Sequence, residues 1–182
     1  MRWIDRLRLQ DNRQINRAPS PVIARGVPWL TVIFGSVLQT LLFIAAAPVM
    51  PPLGFLFLLS WRQLRPGVLP VWAGLPLGLV DDLFSGQPFG SAILLWSLAM
   101  IGLEVIEGRF PWRSYLIDWL LAAAIIAGYL TLSGLLADVG AIGRNAAIIV
   151  PQVLVAVMIY PLATRMIAAC DRLRLTRFRA FS

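Results

Sequence analysis

Gly26–Trp61, read as GVPWLTVIFGSVLQTLLFIAAAPVMPPLGFLFLLSW, contains no charged residue over 36 positions. One crossing of a bilayer hydrocarbon core takes about 20 residues of α-helix, so this run is too long for a single span. Pro48, Pro51 and Pro52 divide it. Proline lacks the backbone donor and pushes the preceding residue away from helical geometry, so the cluster marks a turn at a membrane surface. The stretch therefore predicts a first helix over Trp29–Ala47 and a second, shorter one over about Leu53–Leu64.

Beyond it, a third span over about Gly67–Phe84 is interrupted by Gly67, Pro70, Gly74, Pro76 and Gly78. It is expected to be irregular and buried in a bundle, where neighbours satisfy the carbonyls that proline frees. Gly74 and Gly78 lie one turn apart. They either admit a neighbouring backbone closely or reflect the general tolerance of glycine in membrane helices. Further spans follow over Ser91–Ile106, Tyr115–Ala137 and Ala146–Ala169. The expected fold is all-α: a polytopic bundle of six transmembrane helices over residues 28–169, with basic cytoplasmic tails at 1–27 and 170–182.

Composition supports that solvent assignment. Of 182 residues, 59% are hydrophobic, and the mean hydropathy is +0.78, beyond an ordinary soluble core. All sixteen basic residues are Arg, giving a net charge of +7. Nucleic-acid binding would gather this charge on one soluble face, whereas here it lies in short segments between apolar runs. With the N-terminus in the cytoplasm, fifteen of the sixteen fall on the inner side and only Arg144 outside. Such an excess in short loops orients a membrane protein. Both termini are therefore expected inside.

Arg2, Arg6, Arg8, Arg13, Arg17 and Arg25, with no small-residue cleavage site after the first apolar run, predict an uncleaved first span. Trp3, Ile4 and Leu7 suit either an interfacial helix or disorder, and Asn12–Ser20 reads as a polar linker. Trp61, Trp112, Tyr115, Trp119 and Tyr160 fall near span ends, where amphipathic rings favour the interface. Cys170 is the single cysteine and histidine is absent, which excludes an internal disulfide, His/Cys metal sites and imidazole-based nucleophilic catalysis.

The most distinctive segment is Gly78-Leu79-Val80-Asp81-Asp82-Leu83-Phe84-Ser85-Gly86-Gln87-Pro88-Phe89-Gly90. Two adjacent carboxylates beside an apolar run need hydrogen bonds or counter-charges. Three roles are open to them. Their oxygens accept backbone N–H groups and lock the turn before the fourth helix, where Ser85, Gly86, Pro88 and Gly90 supply turn chemistry; or Asp82 belongs to a partner or ligand surface; or the pair serves acid/base chemistry or a cation. Glu104, Glu107 and Asp118 predict a boundary network with Arg109 and Arg113, a proton relay being the sharper alternative. Gln39, Thr40 and Gln152 are polar groups at membrane depth, suited to bonds between helices.

The spacing of Gly78, Leu79, Asp82, Leu83, Ser85, Gly86, Pro88 and Gly90 resembles the signature of the MreD family, bacterial rod shape-determining membrane proteins. Size, span count and the proline-containing start of the second span are similar too, over about Trp29–Ala169. Asp82 falls on the family's acidic position, while Asp81 occupies a place that is usually apolar, which leaves open which carboxylate points inward. The resemblance implies a non-enzymatic, cofactor-free inner-membrane component of the cell-elongation machinery. It would act in peptidoglycan synthesis with MreC, the actin-like MreB, the glycosyltransferase RodA and a class B penicillin-binding transpeptidase. It also implies a six-helix fold similar to the substrate-binding subunits of energy-coupling-factor vitamin transporters, with a pocket toward the outside. The rival reading is a small-molecule-binding transporter subunit, its pocket floored by the Asp81-Asp82 turn.

Overall fold

The computed structural model describes residues 21–43, 50–109, 114–137 and 142–175. Among them are six α-helices and no strand: α1 Pro21–Phe43, α2 Leu53–Leu64, α3 Gly74–Ser85, α4 Ser91–Arg109, α5 Tyr115–Ala137 and α6 Ile142–Leu175. A short 3-10 turn, Val71–Ala73, leads into α3. Helices α4, α5 and the Ile148–Arg174 part of α6 are each long and apolar enough to cross a membrane. The N-terminal segment Met1–Ser20, with the expected interfacial helix and linker, lies outside the described residues, as do Trp112 and Arg113.

Prolines shape the helix ends in a position-dependent way. The first helix starts at Pro21, eight residues before the expected Trp29, and carries Pro28 inside it. Pro28 removes one i→i−4 backbone hydrogen bond within the helix, yet α1 continues through it. Pro76, by contrast, is harmless in the first turn of α3, whose leading N–H groups have no partner within the helix. The irregular third span is thus a loop, a 3-10 turn and a short α-helix. At the other end α6 runs through Pro151 and Pro161 to Leu175, past the expected Ala169. Its 34 residues give about 51 Å of helix, well beyond a hydrocarbon core of about 30 Å.

Helix pairings close a ring in the order α1, α3, α4, α5, α6 and back to α1, and α2 lies inside it against α1, α5 and α6. Nine consecutive residues of α2, Gly54–Arg62, are buried. A helix that is enclosed on every side needs apolar residues all round, which is what LGFLFLL provides. Phe55 fills the centre, stacked on Tyr129 of α5 at 4.2 Å and tilted against Trp96 of α4 at 5.7 Å. At about 18 Å, α2 is too short to span the core by itself.

The C-terminal half of α2 is polar and is tied to the ring. Trp61 donates its indole N–H to Thr31 Oγ1 of α1 at 2.8 Å, and Gln63 accepts the Tyr160 hydroxyl of α6 at 2.7 Å. Arg62, 3% exposed, donates to the Leu69 carbonyl and pairs with Glu107 at 2.8 Å and with Glu104 on α4. Arg65 and Arg174 share Asp171, and the Arg174 guanidinium lies 5.3 Å over the Trp61 ring. Trp61 and Tyr160 are therefore core residues and not interfacial anchors. Their rings are buried because α1 supplies Thr31 to Trp61 and α2 supplies Gln63 to Tyr160. Tyr115, by contrast, is exposed as expected.

Backbones approach closely at two contacts. A Cβ on Gly54 would collide with Ser36 Oγ of α1. On α3, a Cβ at Gly74 would lie 2.9 Å from Ser97 Cα, and one at Gly78 2.7 Å from the Ala92 carbonyl oxygen. The close-approach reading of Gly74 and Gly78 is the one realised. Because the obstacle is backbone, Gly78→Val forces α3 off α4 and is expected to lower stability by about 1–3 kcal/mol or more. Gly102→Ala, which meets open space, stays within about 0.5 kcal/mol. Thermal unfolding of the purified protein in detergent compares the two.

Candidate functional site

Asp82 sits on the same face of α3 as Gly78, one turn further on, and Gly86 ends the helix one turn later in the left-handed conformation, φ 67°. That is the usual glycine exit from a helix. Gln87, Pro88 and Phe89 then swing the chain round to Gly90, whose φ of 95° is again closed to other residues. The turn lays the N-terminus of α4 over the Asp82 carboxylate.

Helix N-termini leave their first N–H groups without partners, and here every one is accounted for. Asp82 Oδ2 accepts from Gly90 N at 2.9 Å and Ile93 N at 3.2 Å, and Oδ1 accepts from Ala92 N at 2.9 Å and the Ser91 hydroxyl at 3.4 Å. Ser91 N donates to the Pro88 carbonyl and Leu94 N to that of Gly90. The buried carboxylate, 6% exposed, thus caps α4 from a different helix, with its negative charge at the positive end of the helix dipole. Of the roles open to Asp82, turn-locking is the one the geometry realises.

Asp81 is also buried, but one step round the helix it faces α1, with Ser36 as its polar neighbour. Both carboxylates point inward, to different helices. With the Asp82 oxygens taken up by amides, the pair does not converge on one cation or one proton. Nearby, the Tyr129 hydroxyl lies within electrostatic reach of Asp81, Trp96 and Gln87. Ser36 Oγ, Trp96 Nε1 and the Tyr129 hydroxyl are buried with these groups in one polar cluster.

Beside the turn is a cavity of about 230 Å³. Gln39 and Thr40 of α1, Phe84 and Ser85 of α3 and Gln87 of the turn form one side, and Met50 and Gln152 the other. Thr40 donates to the Phe84 carbonyl at 2.9 Å, joining α1 to α3, and Gln152 donates to the Met50 carbonyl at 2.7 Å. Gln39, Thr40 and Gln152 therefore meet at one place, which their separation in sequence did not reveal. Of the motif, Ser85 lines this cavity, Pro88 supplies a carbonyl to the turn, and Gly78, Asp82, Gly86 and Gly90 build the α3–α4 junction. On the charged end of the bundle, Glu104 and Glu107 meet Arg62, a partner that spacing along α4 could not indicate.

Asp82→Ala would strand three backbone donors, each unpaired buried donor costing about 1–3 kcal/mol. The expected result is a marked drop in unfolding temperature and fast hydrogen exchange at the Ala92 and Ile93 amides. Asp82→Asn keeps one acceptor oxygen and loses less of both.

No curated protein and no solved structure matches the chain. The expected likeness to energy-coupling-factor substrate-binding subunits thus has no support among solved structures. Residues 22–168 match the family described as rod shape-determining protein MreD, a span that takes in all of α2 to α5 and most of α1 and α6. With more than half of its length matched, and with the signature built as the capped junction between α3 and α4, the chain belongs to the MreD family of rod shape-determining membrane proteins.

Proposed function

We propose that this chain is a non-enzymatic scaffold of the bacterial inner membrane that binds the transmembrane helix of MreC. Through MreC it helps control peptidoglycan synthesis, acting indirectly with MreB, RodA and a class B penicillin-binding transpeptidase. Family membership over residues 22–168 is the observation that carries the reading. The motif's carboxylate is consistent with it, being occupied by backbone amides and so serving shape instead of reaction.

The same reading gives the chain six crossings with both termini in the cytoplasm. The Arg distribution supports this orientation. The ion pairs around Arg62, Arg65 and Asp171 then sit at the inner end, and the capped turn and its cavity at the outer end. The inner end of α6 carries Arg172 toward anionic headgroups, worth about 1 kcal/mol near such a surface.

A partner helix needs a lipid-accessible apolar face. Leu94, Leu98, Ile101 and Val105 form such a ridge along α4, and Leu116, Leu120, Leu132 and Leu136 lie exposed on α5. Gly102 and Gly128 have open space beside them, which suits close helix packing. Single cysteines replacing Leu94, Leu98, Ile101, Leu120 and Leu132, in a Cys170→Ser background and in cells carrying a cysteine in the MreC transmembrane helix, test the surface. Crosslinks are expected from one face, with loss of rod shape and of MreC retention when the protein is depleted. Unchanged shape and unchanged MreC retention on depletion would refute the scaffold.

A further inference from the structure

We propose that the α3–α4 flank is a surface for a locally thinned bilayer, whose acyl chains reach less far there than beside α5 and α6. Length sets the two sides of the bundle apart. α3 has 12 residues, about 18 Å of helix, and reaches about 24 Å with the 3-10 turn before it included. α5, with 23 residues, gives about 35 Å, and the Ile148–Arg174 part of α6, with 27, about 40 Å. A hydrocarbon core of about 30 Å is matched on the second side and not on the first.

α2 is as short as α3, but its enclosure removes it from lipid. α3 has no such release. Leu75, Leu79 and Leu83 recur one turn apart and are exposed, so this face meets acyl chains from end to end. Both of its ends are marked. After Ser85 the backbone leaves the helix, and Gly86, Pro88 and Phe89 are exposed; irregular backbone of this kind does not stand in hydrocarbon against lipid. Before it, Arg65, Pro66 and Gly67 are exposed, and the exposed Trp72 ring lies 5.5 Å from Trp29 of α1, an indole pair suited to headgroup level. α4 repeats the measurement. From Ser91 to Glu104 is about 21 Å of helix, and the Glu104 side chain, 56% exposed, brings its charge to the flank beside Arg62. Because Asp82 holds the turn on the α4 N-terminus, neither helix lengthens into the loop. Tilting only shortens a helix's reach, so the remaining gap of about 6–12 Å is closed by thinning of the bilayer.

The short flank rests on the six crossings proposed above, which the first step tests separately. The full chain, in a Cys170→Ser background, is reconstituted in sealed vesicles of dioleoyl phosphatidylcholine, and Pro66→Cys and Phe89→Cys are reacted with a membrane-impermeant maleimide. Labelling from opposite sides is expected. Nitroxides on Leu79→Cys, near the middle of α3, and on the exposed Ala124→Cys, near the middle of α5, then report depth by their relative access to oxygen and to a water-soluble nickel chelate. The Leu79 label is expected about 3–6 Å shallower than the Ala124 label, and the difference is expected to vanish in vesicles of the shorter-chained dimyristoleoyl lipid. Thermal unfolding checks the fold, and Leu98→Cys on α4 replaces Leu79→Cys if that variant loses it. Equal depth in dioleoyl vesicles, with Pro66 and Phe89 on opposite sides, overturns the thinned flank alone. Labelling from the same side overturns the six crossings and the flank together. Spin–spin broadening at Leu79 with loss of oxygen access puts a second copy on this face in place of lipid and likewise overturns the proposal.

Discussion

The structure depends on the complete enclosure of α2. A helix with nine consecutive buried residues has no lipid-facing side, so its length is released from the thickness of the bilayer, and every polar group on it must be satisfied by the helices around it. Thr31 on α1, Glu107 on α4 and Tyr160 on α6 supply partners to the Trp61 indole, the Arg62 guanidinium and the Gln63 carbonyl oxygen. Each such bond between membrane helices contributes only about 0.6 kcal/mol on average. Their combined effect is one of register: sliding or turning α2 would strand several of them at once, including a buried guanidinium. Gly54 completes the fit by letting α2 lie against the Ser36 backbone.

The second junction, between α3 and α4, follows the same economy with a different device. Here the contact is too close for side chains, so Gly74 and Gly78 admit the α4 backbone, and Asp82 supplies the hydrogen bonds that α4 cannot make for itself. The motif is thus a piece of construction: glycines for approach, a carboxylate for the helix end, and two further glycines for the backbone conformations of the turn. The cavity lined by Gln39, Ser85 and Gln152 lies beside this junction, at the end of the bundle opposite the Arg62 ion pairs.

Much of this was legible along the chain. The proline cluster after Ala47 and the apolar run beyond it place α2 at Leu53–Leu64, as observed, because proline acts on its immediate neighbours. The bounds of α5 follow in the same way from its unbroken apolar stretch. The start of α1 does not: the helix extends before the expected Trp29 and carries Pro28 inside it, as α6 carries Pro151 and Pro161. Trp61 and Tyr160 read as interfacial rings because they stand near helix ends, and their burial arises only from which helices enclose them.

The sequence by itself determined the solvent, the all-helical class, the spacing of the turn and the family, since each rests on composition or on residues within a few positions of one another. Tertiary structure alone decided that α2 is the centre, that Arg62 is the counter-charge of Glu104 and Glu107, that Asp82 caps α4 while Asp81 faces α1, and that three distant glutamines share one cavity. Helical periodicity fixes the face a residue occupies on its own helix, but its partner depends on the order in which the helices close the ring, and that order is set by packing among segments up to about a hundred residues apart.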